Sequence, residues 1–92
     1  MPRFHFHTED GGAYPDEEGI VLASTADARI QAARMVGEML KEQPDRFWKD
    51  GGLKLTVADD RGLMLFVLDV STTDAPVTAP PRPTRPGVNG PG

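Results

Sequence analysis

Apolar and polar residues alternate strictly at the start of the chain. Phe4 and Phe6 would lie on one side of an extended segment. Arg3, His5 and His7 would lie on the other side. A period of two is typical of a strand with one apolar and one polar face. The pattern predicts a first strand over residues 2–8 and places the chain's two histidines side by side on its polar face.

Three further apolar runs predict the rest of a sheet. They are separated by turn-forming residues, since glycine supplies positive φ at little cost and aspartate favours turns. Residues 13–18 are polar and are predicted to be irregular. The runs are Gly19–Leu22, expected to pair antiparallel with the first strand, Leu53–Val57 and Leu63–Val70, and the turns are Glu9–Gly12 and Asp59–Gly62.

The middle of the chain predicts one helix. Ser24 is the expected N-cap, and Asp27, three residues later, fits the acidic position of a capping box. Pro44 disfavours helical geometry at Gln43, so the helix is expected to end there. Residues 44–52 are predicted to form a loop. The stripe expected to face the sheet comprises Ala26, Ile30, Ala33, Val36 or Gly37, and Leu40.

Together these elements predict an α+β fold over residues 1–70. It is a two-layer β-β-α-β-β unit, with one helix packed on one face of an antiparallel sheet. Residues 71–92 hold six of the nine prolines, a composition that buries too little apolar surface to offset its ordering entropy. A disordered Pro/Gly-rich tail is predicted there. Its residues 80–85 match the P-x-x-P-x-R pattern of polyproline ligands, but a spacer is the preferred interpretation.

Charge and composition narrow the classes of function. Residues 1–70 carry eight Lys and Arg against 13 Asp and Glu, and an acidic surface repels a phosphate backbone. We therefore expect no nucleic-acid partner. No segment has the apolar length of a signal peptide or a membrane span. These features predict a cytoplasmic protein without membrane contact.

The last predicted strand favours association with another protein. It is apolar on both faces, whereas an antiparallel strand with one wet face alternates. A unit of about 70 residues is also marginal as a lone folder, and the chain has no cysteine. A homodimer is therefore expected. If the helix covers one of two sets (Met64, Phe66, Leu68 and Val70, or Leu63, Leu65 and Val67), the other set needs a partner, or Phe47 and Trp48 folded over it.

The first 70 residues resemble a family of short uncharacterised bacterial proteins, a domain of unknown function. Its members open M-P-R-[FY]-x-F-[HD], continue through a D-G turn and an acidic stretch ending in E-G, and close with a hairpin. The resemblance implies a small domain and no established activity. The matching residues here are Met1–His7, Asp10-Gly11, Asp16–Gly19, Leu22, Ala28, Ala32 and Asp59–Gly62.

A weaker similarity links the chain to HicB-like antitoxin domains. These also begin with a hairpin that carries an acidic D-G turn, followed by a helix and another strand. Their usual P-D-L-P-G-type segment is missing, since Leu22–Thr25 stands in its place. The similarity implies at most the toxin-blocking half of such a protein, with a basic partner.

The histidines are the one candidate for metal chemistry. Imidazoles at i and i+2 can chelate a transition metal, with a third ligand from Glu9, from Asp10 or from the facing strand. The ligand set of His5 and His7 is incomplete, so a solvent-facing or interface position is expected, and no metal or other cofactor is predicted. Among the acidic residues, Asp16–Glu18 is expected to be a solvated loop, and Asp59 and Asp60 are expected to form a turn.

The sequence therefore predicts a non-enzymatic protein-interaction domain that self-associates through its sheet. An antitoxin-like inhibitor of a basic partner is the first alternative. A metal-binding protein that uses His5 and His7 is the second. The expected interaction residues are Phe47, Trp48, Met64, Phe66 and Leu68.

Overall fold

A computed structural model describes residues 1–75 of the 92-residue chain. It contains five strands and two helices, so the predicted α+β class is confirmed. Residues 76–92, which include most of the predicted tail and its P-x-x-P-x-R segment, lie outside the described residues. The elements are β1 (Arg3–Glu9), β2 (Ala13–Tyr14), β3 (Ile20–Val21), α1 (Thr25–Glu42), α2 (Pro44–Asp50), β4 (Gly52–Asp59) and β5 (Met64–Ser71).

The five strands form one antiparallel sheet with β4 at its centre. The order is β2-β1-β4-β5, and β3 pairs with the same side of β1 as β2 does, nearer the start of β1. The antiparallel pairing of the second predicted strand with the first is therefore confirmed at β3. The two-residue strand β2 was not predicted, because Ala13 and Tyr14 are too short a segment to carry a visible alternation.

Both helices pack against β4, on one side of the sheet. The core between the layers is built from the alternate residues of β1 and β4 that point toward α1. Leu55 and Val57 are fully buried at its centre. The buried cluster comprises Phe4, Phe6, Ala28, Ala32, Val36, Leu53, Leu55 and Val57. The opposite side of the sheet, called here the open face, carries no helix among the described residues.

The limits of α1 agree with the prediction, but its buried face agrees only in part. Ser24 is the N-cap, and its hydroxyl accepts the Asp27 N–H at 3.2 Å. The first half of the predicted stripe is wrong, because Ile30 is 53 % exposed and Ala26 and Ala33 are also exposed. The second half is confirmed, since Val36 is buried and Leu40 packs against the core. The buried residues follow an i, i+4, i+8 pattern, at Ala28, Ala32 and Val36. Two successive alanines let the helix backbone approach β4 closely, which a stripe centred on Ile30 would prevent.

The loop predicted for residues 44–52 is mostly a second helix. Pro44 ends α1 as expected, but it also occupies the first turn of α2, where its missing N–H costs nothing and its fixed φ suits a helix. Gly51 closes α2 in the left-handed conformation, with φ of 80°. The short α2 carries Phe47 onto the edge of the core.

A β-bulge breaks the alternation of β5 near its start. Phe66 lies opposite Val57, but Met64 lies opposite Ala58, so Leu65 is an extra residue. Leu65 packs against the core with Phe66, while Met64 lies on the side of Ala58 and His5, the open face. The expectation that Met64 shares a face with Phe66 and Leu68 is therefore wrong, because the bulge reverses the side on which Met64 lies. β5 also continues to Ser71, one residue beyond the predicted domain boundary.

Candidate functional site

The outer edge of β5 is a long strand edge that carries apolar side chains. β5 pairs with β4 on one side, and within residues 1–75 no strand pairs with its other side. Its eight residues contain one charge, Asp69, and no proline. A free edge of this length and composition is a template for pairing with another strand.

The helix side of β5 is incompletely covered. Phe66 and Leu68 pack against the core but are only half-buried, because the helices sit over the neighbouring strand β4. The Arg29 guanidinium of α1 lies over the Phe66 ring, 5.7 Å from its centroid, and covers part of it. The flank of the helix layer above β5 is therefore an incomplete core that a neighbouring layer can extend.

The open face presents cross-strand rows of side chains. Direct pairing places Ala58 between His5 and Met64, and Thr56 between His7 and Val67. The next row places Lys54 between Glu9 and Asp69. Met64 is 59 % exposed and Val67 is 42 % exposed. The apolar end of each of the first two rows thus lies at β5, beside its free edge.

The predicted aromatic pair divides between core and solvent. Phe47 packs against the core, whereas its neighbour Trp48 is 64 % exposed. The two rings meet edge to face with centroids 5.9 Å apart. Phe66 and Leu68 lie on the helix side and Met64 lies on the open face. The five expected interaction residues therefore occupy both sides of the sheet rather than one continuous face.

A polar cluster occupies the opposite edge of the sheet, on β1. Asp16 is at its centre, in the segment that joins β2 to β3. Its carboxylate accepts the Phe6 N–H at 3.1 Å and the Gly19 N–H at 3.0 Å. Phe6 lies between the residues of β1 that pair with β3 and those that pair with β2. The Asp16 side chain therefore takes the place of a missing strand partner at this point of the β1 edge.

The backbone of Asp16 is held by both histidines. The Asp16 N–H donates to His7 Nδ1 at 3.0 Å, and the Asp16 carbonyl lies 3.0 Å from His5 Nδ1. His5 Nε2 lies 2.9 Å from the Asp60 carboxylate, in the β4–β5 turn. The two imidazole rings stack with centroids 6.2 Å apart. Asp16, His5, His7 and Asp60 are called the Asp16 cluster below.

The partners of each ring define its protonation. A carbonyl and a carboxylate only accept hydrogen bonds, so His5 satisfies both when both of its nitrogens carry hydrogen. The hydrogen bond to Asp60, followed by the one to the Asp16 carbonyl, raises the pKa of His5 above 6.5 despite some desolvation. His7 Nδ1 instead accepts a hydrogen bond, so that nitrogen carries no hydrogen and the proton of the neutral ring sits on Nε2.

Asp16 stays ionised in this setting. Partial burial opposes its charge, but the N–H donors of Gly19 and Phe6 outweigh that effect and hold the pKa of Asp16 below 3.8. Gly19 is required at its position because its φ is +72° and an added Cβ would lie 2.8 Å from the Phe4 carbonyl oxygen. The guanidinium of Arg3 fixes the same segment through the Glu18 carbonyl at 2.8 Å.

The structure gives Asp16 and Asp60 roles that the sequence did not indicate. The sequence predicts a solvated loop for Asp16, Glu17 and Glu18. The one local feature that distinguishes Asp16 is the glycine three residues later, whose N–H its carboxylate accepts. Asp59 is the turn former that was predicted, since its carboxylate accepts the N–H groups of Arg61 and Leu63. Asp60 bonds to His5 instead, 55 residues away in sequence. Residues 1–75 contain no group of three or more His, Cys, Asp or Glu arranged to hold a metal ion.

A cleft of about 340 Å³ lies where α1 meets α2, beside the β1–β2 turn. Its apolar wall includes Met39, Leu40 and Phe47. Arg46 at its rim is already engaged, with the Asp10 and Asp50 carboxylates each at 3.5 Å and the Tyr14 hydroxyl at 3.3 Å. These contacts tie α2 to the β1–β2 turn and account for the charge of Arg46 without a ligand.

No described helix is long and apolar enough to span a membrane.

The fold and its surfaces define a small α+β domain whose sheet ends in two-residue strands on one side and in the eight-residue strand β5 on the other. The chain belongs to the family described as Domain of unknown function (DUF6894), whose model matches residues 3–71. The match runs from β1 to the end of β5, and it confirms the family predicted from the opening residues. No curated protein and no solved structure matches the chain. The similarity to HicB-like antitoxin domains stays a prediction.

Proposed function

We propose that this chain is a non-enzymatic protein-interaction domain that self-associates through the outer edge of β5. The observation that carries the proposal is the contrast between this strand and its neighbours. β5 is eight residues long, almost uncharged, and paired on one side only within the described residues. Pairing with another strand would satisfy its outward backbone groups and cover its apolar side chains together.

A second copy of β5 is a suitable partner for this edge. Two antiparallel copies related by a two-fold axis are self-complementary. A register centred on Val67 places each Asp69 opposite a Leu65, which keeps the two carboxylates apart. The axis is then perpendicular to the sheet, so both helix layers lie on the same side. Phe66 and Leu68 of each copy would meet beneath the two α1 helices and complete the half-covered core.

The proposal assigns no catalytic role to the polar residues. The side-chain bonds of His5 and Asp16 are made to backbone groups of segment 15–19 and β1, and to Asp60. They hold segment 15–19 and the β4–β5 turn against β1. A cytoplasmic protein without cofactor or nucleic acid remains part of the proposal, and it rests on sequence composition.

Light scattering coupled to size exclusion, at micromolar concentration, tests the self-association. We expect the full chain to elute as a dimer and Val67→Lys to elute as a monomer, because a lysine at the centre of the pairing blocks strand addition. Ile30→Lys is the matched control. Ile30 is similarly exposed but lies on the outer face of α1, so this variant should stay dimeric.

Two results would contradict the proposal. One is a monomeric wild-type chain over the whole concentration range. The other is equal behaviour of Val67→Lys and Ile30→Lys, which would place any dimer contact elsewhere.

Met64→Lys provides a second test at the β5 edge. Met64 is 59 % exposed, so its replacement should weaken the dimer without disturbing the monomer.

A further inference from the structure

His5 and His7 hold the same residue through opposite protonation states. His5 faces two acceptors, the Asp16 carbonyl and the Asp60 carboxylate, and binds both only as an imidazolium. His7 accepts the Asp16 N–H at Nδ1 and can do so only with that nitrogen unprotonated. We propose that segment 15–19 is held by a proton-dependent clasp, which is closed when His5 is protonated and opens when His5 loses that proton.

The alkaline limit comes from His5. Loss of one proton leaves a ring lone pair facing either a carbonyl or a carboxylate, so one of the two hydrogen bonds is lost. The two acceptors raise the pKa of His5 above 6.5. The His5 contribution to stability is therefore complete below pH 6.5 and disappears as the pH rises through the folded-state pKa.

The titrating group of the clasp is His5. Histidine is the side chain that ordinarily changes charge between pH 5 and 8. Arg3 is bonded to the Glu18 carbonyl, and Lys54 sits between two carboxylates on the open face. The charged groups on the elements around the pair are Arg3, Glu9, Asp16, Glu17, Glu18, Lys54, Asp59, Asp60, Arg61 and Asp69.

Opening the clasp would change the edge of the sheet. Asp16 covers the Phe6 N–H between the short strands β2 and β3. Release of segment 15–19 would expose that donor and the polar face of β1. The clasp therefore makes the accessibility of the β1 edge depend on pH, independently of the β5 edge.

Nuclear magnetic resonance of the full 92-residue chain tests the clasp. Imidazole nitrogen shifts below pH 6.5 should show His5 with both nitrogens protonated. Amide protection factors of Phe6 and Gly19, corrected for intrinsic exchange, should fall as the pH rises through the folded-state pKa of His5. Repeating the measurement on the Val67→Lys chain separates this result from the proposed dimer, because the clasp should be unchanged in a monomer.

Variants assign this loss of protection to His5. Asp60→Asn should move the loss to lower pH, because it removes the carboxylate bonded to His5 Nε2. Asp69→Asn, another exposed carboxylate near the open face, should leave the profile in place. Protection that does not change with pH, a neutral His5 below pH 6.5, or a profile unmoved in Asp60→Asn would overturn the proposal.

Discussion

The two outer edges of the sheet are treated in opposite ways. The β1 edge is covered by β2 at one end and β3 at the other, and the Asp16 carboxylate closes the interval between them. The β5 edge is a single apolar strand that pairs on one side among the described residues. One edge is sealed with polar bonds, and the other keeps its backbone groups and apolar side chains available.

This difference shows where the chain provides protection against unwanted pairing. Proteins block exposed edges with charges, prolines, bulges or covering segments. Here the covering segment is placed over β1, although β1 is the more polar strand on its open face. β5 receives one bulge and one aspartate. The β5 edge is more apolar than the β1 edge and yet less protected. This is the combination expected of a surface that pairs with another strand, and it is the basis of the proposed self-association.

The largest expected loss of unfolding free energy comes from Gly19→Ala, at the β1 edge. Gly62→Ala, in the β4–β5 turn, is the comparison variant. It should cost about 1–2 kcal/mol, the strain of a left-handed alanine, since nothing lies within 4 Å of its added Cβ. Gly19→Ala should cost more, about 3 kcal/mol, because its Cβ also meets the Phe4 carbonyl at 2.8 Å. Urea unfolding measures both. Equal costs for the two variants would show that segment 15–19 shifts away from the Phe4 carbonyl to accommodate the added methyl group.

Removing the carboxylate of the closed edge should have the next largest effect. Asp16→Ala leaves the N–H groups of Phe6 and Gly19 without their acceptor, at a cost of about 2 kcal/mol for bonds to a half-exposed charge. Glu17→Ala is the control, because Glu17 is exposed and adjacent, and it should change stability by less than about 0.5 kcal/mol. Similar losses in both variants would count against a special role for Asp16.

Acid should weaken the closed edge through the same carboxylate. The folded-state pKa of Asp16 lies below 3.8, so its stabilisation is fully present above pH 3.8 and is lost as the pH falls through the folded-state value. The difference in unfolding free energy between wild type and Asp16→Asn should therefore shrink below pH 3.8. A difference that stays constant down to pH 2 would show that the charge of Asp16 contributes nothing.

The smallest expected change in monomer stability is at the free edge. Val67→Lys should alter the unfolding free energy of the monomer by less than about 0.5 kcal/mol, since Val67 is 42 % exposed. Urea unfolding at a concentration below the dimer range measures it. A loss of several kcal/mol would mean that β5 needs Val67 for its own fold, and the dimer test would then rest on Met64→Lys.

The sequence predicted the elements whose pattern is local. The alternation of Phe4 and Phe6 identified β1, and both residues are buried. Ser24 and Pro44 marked the ends of α1, because caps and prolines act through the backbone next to them. The edge strand β5 was found from its continuous apolar run.

What the sequence missed depends on tertiary packing. Both faces of α1 carry small and apolar residues, so the choice of Ala28 and Ala32 over Ile30 was decided by how closely β4 approaches. The side on which Met64 lies depends on one bulged residue, and a shift of one position reverses a strand's faces. Pro44 was interpreted only as a helix end, although it also begins α2.

The Asp16 cluster could not be derived from local patterns. The pairing of the histidines on one strand face was predicted, but their partners come from a loop and from a hairpin far along the chain. The acidic run that contains Asp16 gives no indication of which carboxylate turns inward. The D-x-x-G spacing of Asp16 and Gly19 is the one feature of the sequence that reflects the observed bonds.

The central position of β4 has a consequence for how the chain is made. Every other full-length strand of the sheet pairs with β4, yet β4 begins only at Gly52. As synthesis proceeds from the N-terminus, Phe4 can meet only the two-residue strand β3, and β1 gains its full-length partner only when β4 has been translated. Folding therefore waits for contacts between distant segments, which are slow to form, and the nascent chain holds its first aromatic residues exposed during that delay.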